Sequence, residues 1–231
     1  MMKNRSVWDI IDCMNLFPAK PFDIDSIMAI ERQAFIPQIQ EKRRCFESRL
    51  EVFPEGFFIL SDASEGVVQA HGNALTCGYF SSERWDSFPS ASDSDDVFAR
   101  KFSLGHNIAH THVPDGAYLY VSSFALRKEY QGRGTGRSFF EASCGALCGA
   151  SKSIEKIVVL VNEEWKAARA IYGSLGFCEV RRLPGFFPTI RKTSLFKREM
   201  SDGIVMAAAA DVFRGVEFSA RTDNMWEGIT L

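Results

Sequence analysis

The residues best suited to chemistry form a run of glycines and basic side chains near the middle of the chain, Gln131-Gly132-Arg133-Gly134-Thr135-Gly136-Arg137. The run separates an apolar stretch, Tyr118–Leu126, from a helix-forming one. A turn placed there leaves backbone N–H groups unpaired at the positive end of a helix dipole. Glycine lets the main chain approach an anion that a Cβ would hold off, and Arg133 and Arg137 can grip phosphate oxygens in pairs. The chemistry on offer is retention of a phosphorylated ligand, although a plain helix-start turn has the same pattern. A dinucleotide-binding fold is the obvious competitor. It is disfavoured because the strand before the turn starts past residue 115, and the next strand ends at Asn162, where an acidic residue would be wanted.

The elements that must position this turn can be read from hydrophobic periodicity. Residues 22–36 place Phe22, Ile24, Ile27, Ile30, Ala34 and Phe35 at near-helical spacing, and a second helix is expected over 38–52. Residues 56–60 predict a strand, 62–66 a hairpin turn and 67–80 its partner. Residues 81–96, rich in Ser and Asp, predict an excursion over the surface. Tyr118–Leu126 reads as a strand covered on both faces and 135–149 as a helix with Phe140, Cys144, Leu147 and Cys148 on one face. A buried strand over 157–161 follows. A helix over 163–175 then ends at Gly176, the residue type that tolerates a left-handed cap. Strands are expected over 177–183 and 193–200. Strand and helix alternate only in the second half, which favours an α/β (α+β) fold with a mixed sheet.

In this order the motifs resemble the GNAT superfamily of N-acetyltransferases. The resemblance rests on the Gln-x-x-Gly-x-Gly spacing after Phe124-Ala125-Leu126, and on Asn162 followed by Ala167-Ala168-Arg169-Ala170-Ile171-Tyr172-Gly173-Ser174-Leu175-Gly176-Phe177. It spans about residues 20–200. It implies a mostly antiparallel sheet with helices on both faces, split between its central strands to admit acetyl-CoA as acyl donor. It further implies that Phe124, Ala125 and Leu126 pair with the pantetheine arm and that Gln131, Gly132, Arg133, Gly134, Thr135, Gly136 and Arg137 hold the pyrophosphate. By the same resemblance, Asn162 and Ala168 contact the cofactor and Tyr172 protonates the departing thiolate. Tyr172 can equally be a core aromatic of an amphipathic helix. The upstream segments Ile30–Ile36 and Gly78–Trp85 are similar to the arylalkylamine N-acetyltransferases. Where that group tends to carry two histidines, however, this chain has Tyr118 and Tyr120.

The expected reaction is direct acetyl transfer to an amine, a small one in that Tyr79, Phe80, Trp85 and Phe88 favour a closed pocket over an open groove; the same residues can be core. A protein lysine or N-terminus, and a non-catalytic acyl-CoA-binding module, stay open as alternatives. An ammonium must lose a proton before it attacks. The candidate bases are Glu31, Glu83, His110, His112, Tyr118 and Tyr120, with Glu31 placed first because its helix borders the acceptor site in this family. His110 and His112 are spaced to face one side of a strand, and histidine titrates in the useful range.

Composition limits the other classes. A net charge of −2 without a long basic block argues against a nucleic-acid surface. No run of eighteen apolar residues suggests a membrane span. Met1–Arg5 leads to Asp9 and Asp12 instead of an apolar signal core, so the expected location is cytoplasmic. The six cysteines lack a paired spacing and read as small hydrophobes, with no metal expected. Residues 201–231 are expected as an extension beyond the 1–200 domain. In it 204–213 forms a helix around Ala207–Ala210, and Phe213, Phe218 and Trp226 anchor it on the domain or on a second copy in a homodimer.

Overall fold

A computed structural model describes residues 14–62, 75–90, 92–189 and 200–216. Seven strands form one sheet in the order β1-β2-β3-β4-β5-β7-β6. They are β1 (Met14–Pro18), β2 (Phe57–Asp62), β3 (Leu75–Trp85), β4 (Tyr118–Leu126), β5 (Lys156–Asn162), β6 (Cys178–Pro188) and β7 (Met200–Ala209). The helices are α1 (Ile24–Ala34), α2 (Arg43–Val52), α3 (Asp95–Lys101), α4 (Ile108–Thr111), α5 (Thr135–Ala150) and α6 (Lys166–Ser174). β4 and β5 run parallel, and every other neighbouring pair is antiparallel.

Helices cover both faces of the sheet. On one face α5 and α6 pack Phe139, Phe140, Cys144 and Tyr172 onto Phe58, Phe80, Leu119, Val121 and Val159. On the other, α1 and α2 pack Ile27, Ile30 and Phe46 onto Phe57, Ile59 and Tyr79, while Phe98 and Phe102 cover Trp85, Tyr120, Val158 and Val205. The apolar stretch of β4 therefore reflects burial on two sides.

Two features of β4 shape the centre of the molecule. Its pairing with β5 runs only from Tyr118↔Lys156 to Val121↔Val159. Beyond that point β4 stays with β3 as far as Leu126↔Gly78, and β5 stays with β7 as far as Asn162↔Gly203. The sheet thus parts into two halves at the ends of its parallel strands. The parting begins at a bulge, where Ser81 opposes Ser123 and Ser82 opposes Val121, leaving Ser122 as the extra residue.

Three sequence expectations are corrected. Residues 81–85 are no surface excursion: they complete β3 and are all buried, their polar side chains paired with one another and with the loops that cover them. The alanine-rich segment is no helix. Ile204, Val205 and Met206 are buried alternately on the two faces of β7, and insertion between β5 and β6 overrides the helix propensity of Ala207–Ala209. That strand begins at residue 200, so the sheet continues past the point where the sequence reading closes it. Third, the helix expected from 38 starts at Arg43. Residues 193–199, the 62–66 turn beyond Asp62, Phe218 and Trp226 lie outside the described residues; Phe213 is fully buried against Phe177, with ring centroids 6.0 Å apart.

Candidate active site

The glycine turn sits at the end of β4, at the mouth of the parting. Gly132 and Gly134 have φ of +74° and +82°, and Gly134 is the N-cap of α5. A Cβ at either would meet no protein atom within 4 Å. Their backbone is therefore held in a glycine-favouring conformation beside open space. Gly136 is different, because a Cβ there would come within 3.1 Å of Leu126 and 3.3 Å of Ile171. Its smallness lets α5 approach β4 and α6. Arg133 and Arg137 are exposed, the latter 3.7 Å from Glu141. Gln131 donates its side-chain amide to the Leu126 carbonyl at 2.9 Å, pinning the turn to the strand.

Two buried polar atoms border this region without partners. Thr135 Oγ1, in the first turn of α5, is one. Asn162 Nδ2, at the end of β5, is the other; its Oδ1 accepts the Glu164 N–H at 2.9 Å and the Ser201 hydroxyl at 3.0 Å. Buried donors are seldom left idle. Thr135 follows β4 and Asn162 ends β5, the two strands whose mutual pairing ends at Val121 and Val159. Ala168 and Phe124 are half-buried against the core. Tyr172 is buried between Phe140 and Phe177, with centroids 5.1 and 5.6 Å away. Burial, and to a lesser degree Cys144, pushes its hydroxyl well above the ordinary tyrosine range, so it carries its proton throughout the neutral range.

On the opposite face Glu31 projects inward from the last turn of α1 and is 1% exposed. Its Oε1 accepts the Glu41 backbone N–H at 2.7 Å. Its Oε2 accepts the Tyr79 hydroxyl, which also lies 2.9 Å from Ser123 Oγ on β4. Burial pushes the Glu31 carboxyl up, only partly opposed by those two donors, to about 7. Beside it, Arg49 donates to Glu41 at 2.8 Å in a buried ion pair.

Glu83 is equally buried but tuned the other way. It accepts His106 Nε2 at 2.6 Å, Thr111 Oγ1 at 2.6 Å and Trp85 Nε1 at 2.7 Å. Burial alone would raise it; these donors and the His106 charge outweigh burial and hold it below the usual carboxylate value. A carboxylate so satisfied is a weak base. The same pair raises His106 against its burial. His106 was not singled out by sequence, since its partner lies in a distant strand. His110 and His112 share no strand face: His110 is exposed on α4, and His112 follows it with Nδ1 accepting the Arg84 N–H at 3.1 Å. Burial lowers His112. Tyr120 is buried and stacked on Trp85 at 4.4 Å, and Tyr118 stacks on Phe88 at 5.7 Å. Tyr79, Phe80 and Trp85 belong to the core, so the aromatic content of 79–88 is no measure of pocket size. Phe35, after α1, lies across the parting from Trp165, which follows β5, whereas Phe187, on β6, belongs to the same half as Trp165. Both contact Trp165, at 5.4 and 5.5 Å. Among the described residues no His, Cys, Asp and Glu cluster could hold a metal, and no helix is long and apolar enough to cross a membrane.

No family model matches the sequence. The N-alpha-acetyltransferase 30 of Schizosaccharomyces pombe is 27% identical over 106 residues, covering 45% of this chain and 66% of that protein; the chain thus spans just under two thirds of the relative's length. Among solved structures, the ribosomal-protein-S18-alanine N-acetyltransferase from Escherichia coli superposes with a TM-score of 0.56 at 18% identity, over 92% of this chain and 99% of that one. Arabidopsis thaliana NAA60, solved with acetyl-CoA, gives 0.60 at 14% identity over 86% and 99%. The fold is that of the GNAT N-acetyltransferases.

Proposed function

We propose that the chain is an N-acetyltransferase that moves acetyl from acetyl-CoA to an amine nitrogen by direct attack in a ternary complex. The observation that carries this reading is the parting of β4 from β5 directly beneath the glycine turn. In it, the turn holds pyrophosphate through the N–H groups around Gly132, Gly134 and Thr135. The free edge of β4 at Phe124–Leu126 pairs with the arm as a further strand would, and Asn162 Nδ2 donates to it from the other side. Backbone N–H groups of the parted strand stabilise the developing oxyanion. Tyr172 returns a proton to the thiolate, and Glu31 receives the proton that the amine gives up.

The acceptor in this reading is a small amine with an apolar body, resting on the Phe35–Trp165 contact that bridges the two halves and on Phe187 beside it. A second reading, in which the acceptor is a peptide N-terminus, draws on the names of the relatives. Thiol release from acetyl-CoA with aryl amines, polyamines, amino acids and peptides separates them. Release with an aryl amine at the highest kcat/KM supports the small-amine reading, and release confined to peptides replaces it with the second. Acetyl-CoA binding without release for any acceptor overturns the enzyme in favour of a binding module.

A further inference from the structure

We propose that the amine's proton reaches Glu31 through two hydroxyls, those of Ser123 and Tyr79, which act as a fixed relay between the parted strand and the buried carboxylate. The inference rests on the acetyl-transfer reading above and adds to it the route and the residues.

The geometry begins with access. Glu31 is 1% exposed and both its oxygens are occupied, one by the Glu41 N–H and the other by the Tyr79 hydroxyl. Tyr79 is itself fully buried. An amine approaching from the opening therefore cannot touch the carboxylate. Ser123 can be reached: it is half-buried and stands on β4 just past the bulge, where the β5 partner has fallen away. An arm entering from the turn at 131–137 and running along Leu126 and Phe124 brings its reacting end to this point. Ser123 is thus the first hydroxyl that a nucleophile would meet.

The direction of the relay is set by the count of protons. Tyrosine has a single O–H, which it donates to Glu31, so the Ser123–Tyr79 contact of 2.9 Å must have Ser123 as donor. The Ser123 oxygen is left free to accept from an ammonium. In the transfer, an ammonium N–H bond breaks as its proton passes to Ser123 Oγ. The former Ser123 proton passes to Tyr79 Oη, and the former Tyr79 proton passes to Glu31 Oε2. The products are a neutral amine and a neutral carboxylic acid, with both hydroxyls restored, and no oxidant, reductant or further reactant takes part. Ser122, the bulge residue, takes no part either, because its hydroxyl is turned to Ser81 at 3.1 Å.

The test compares an alkylamine, protonated at neutral pH, with an arylamine, already neutral there, in the parent, Ser123→Ala, Ser123→Thr and Tyr79→Phe proteins. The relay predicts that Ser123→Ala and Tyr79→Phe lose on the order of 10²-fold in kcat/KM for the alkylamine, the usual weight of a general base. It predicts a loss within about threefold for the arylamine and recovery of the alkylamine rate in Ser123→Thr, which keeps a hydroxyl. Equal losses for both amines would make the residues merely structural and overturn the relay. Full alkylamine activity in Ser123→Ala would do so as well, by giving Glu31 another route. Should Tyr79→Phe fail to fold, the Ser123 pair decides alone. A parent protein that acetylates neither amine class nor any peptide refutes the acetyl-transfer reading itself. A parent that acetylates both amines, with variants that do not discriminate between them, refutes only the relay.

Discussion

Glu31 and Glu83 are both buried to 1% exposure, yet their surroundings give them opposite tasks. Three side-chain donors keep Glu83 ionised and inert as a base, whereas Glu31, with fewer, is pushed up to about 7. A base must be a carboxylate, so kcat/KM for an alkylamine should rise as pH passes through about 7. Glu31→Gln should lose that limb and about 10²-fold in rate; a limb that instead tracks the pKa of each amine tried would show the substrate titrating. Stability carries the inverse sign. The folded value lies above the ordinary 4.5, so folding favours the protonated acid, and that contribution is complete below about 4.5 and lost as pH rises through about 7. Melting of the parent across this window should therefore fall relative to Glu31→Gln. Tyr172, held protonated by burial, can only be an acid at neutral pH. Tyr172→Phe should lower kcat about 10²-fold with CoA affinity unchanged, and full activity would move the acid elsewhere. Gly134→Val places a branched side chain at φ +82° in the space proposed for phosphate. It should cost about 1–3 kcal/mol of strain and abolish CoA binding, as calorimetry would show; unchanged affinity would reduce the turn to a helix start. The glycine turn was legible in sequence because its signal is local. Glu31 was legible only as a candidate, since its burial depends on Tyr79, 48 residues away, and on the loop that brings Glu41 over it.

The elements divide by where their stabilisation originates. β4, α5, β5 and α6 were readable because periodicity, the glycine turn and Gly176 mark them from within, and Gly176 does adopt φ +82° at the end of α6. β7 was misread as helix because its alanines carry a strong local preference, while the partners that override it, β5 and β6, are contributed by distant sequence. The polar end of β3 failed for a related reason. Ser81, Ser82, Glu83 and Arg84 look solvent-facing until their partners are known: Ser122, the Gly56 carbonyl, His106 and the Gly116 carbonyl. Truncation after Met200 removes a strand between two others, so the shortened chain should lose cooperative melting and its sheet signature by circular dichroism. A parental melting curve would contradict the placement of β7.

The molecule as a whole is built of two half-sheets joined along Tyr118–Val121 and Lys156–Val159 and parted beyond. Tyr172, the proposed proton donor, lies on the face of α5 and α6, and Glu31, the proposed acceptor, lies on the face of α1 and α2. In the proposed reaction the parting lets a thioester lie between these groups on opposite faces of one sheet. The sequence motifs implied such a division, but the bulge at Ser122 and the place where pairing ends follow from register, which no single strand reveals. One measurement tests the whole arrangement: a single turnover with acetyl-labelled CoA and the best amine of the acceptor panel, the protein and small molecules being separated and weighed by mass spectrometry. Direct transfer predicts label on the amine nitrogen, free CoA in equal amount, and none on the protein at any time. Label trapped on the protein, for example on the exposed Cys178, or left on the thioester with the amine unchanged, would contradict it.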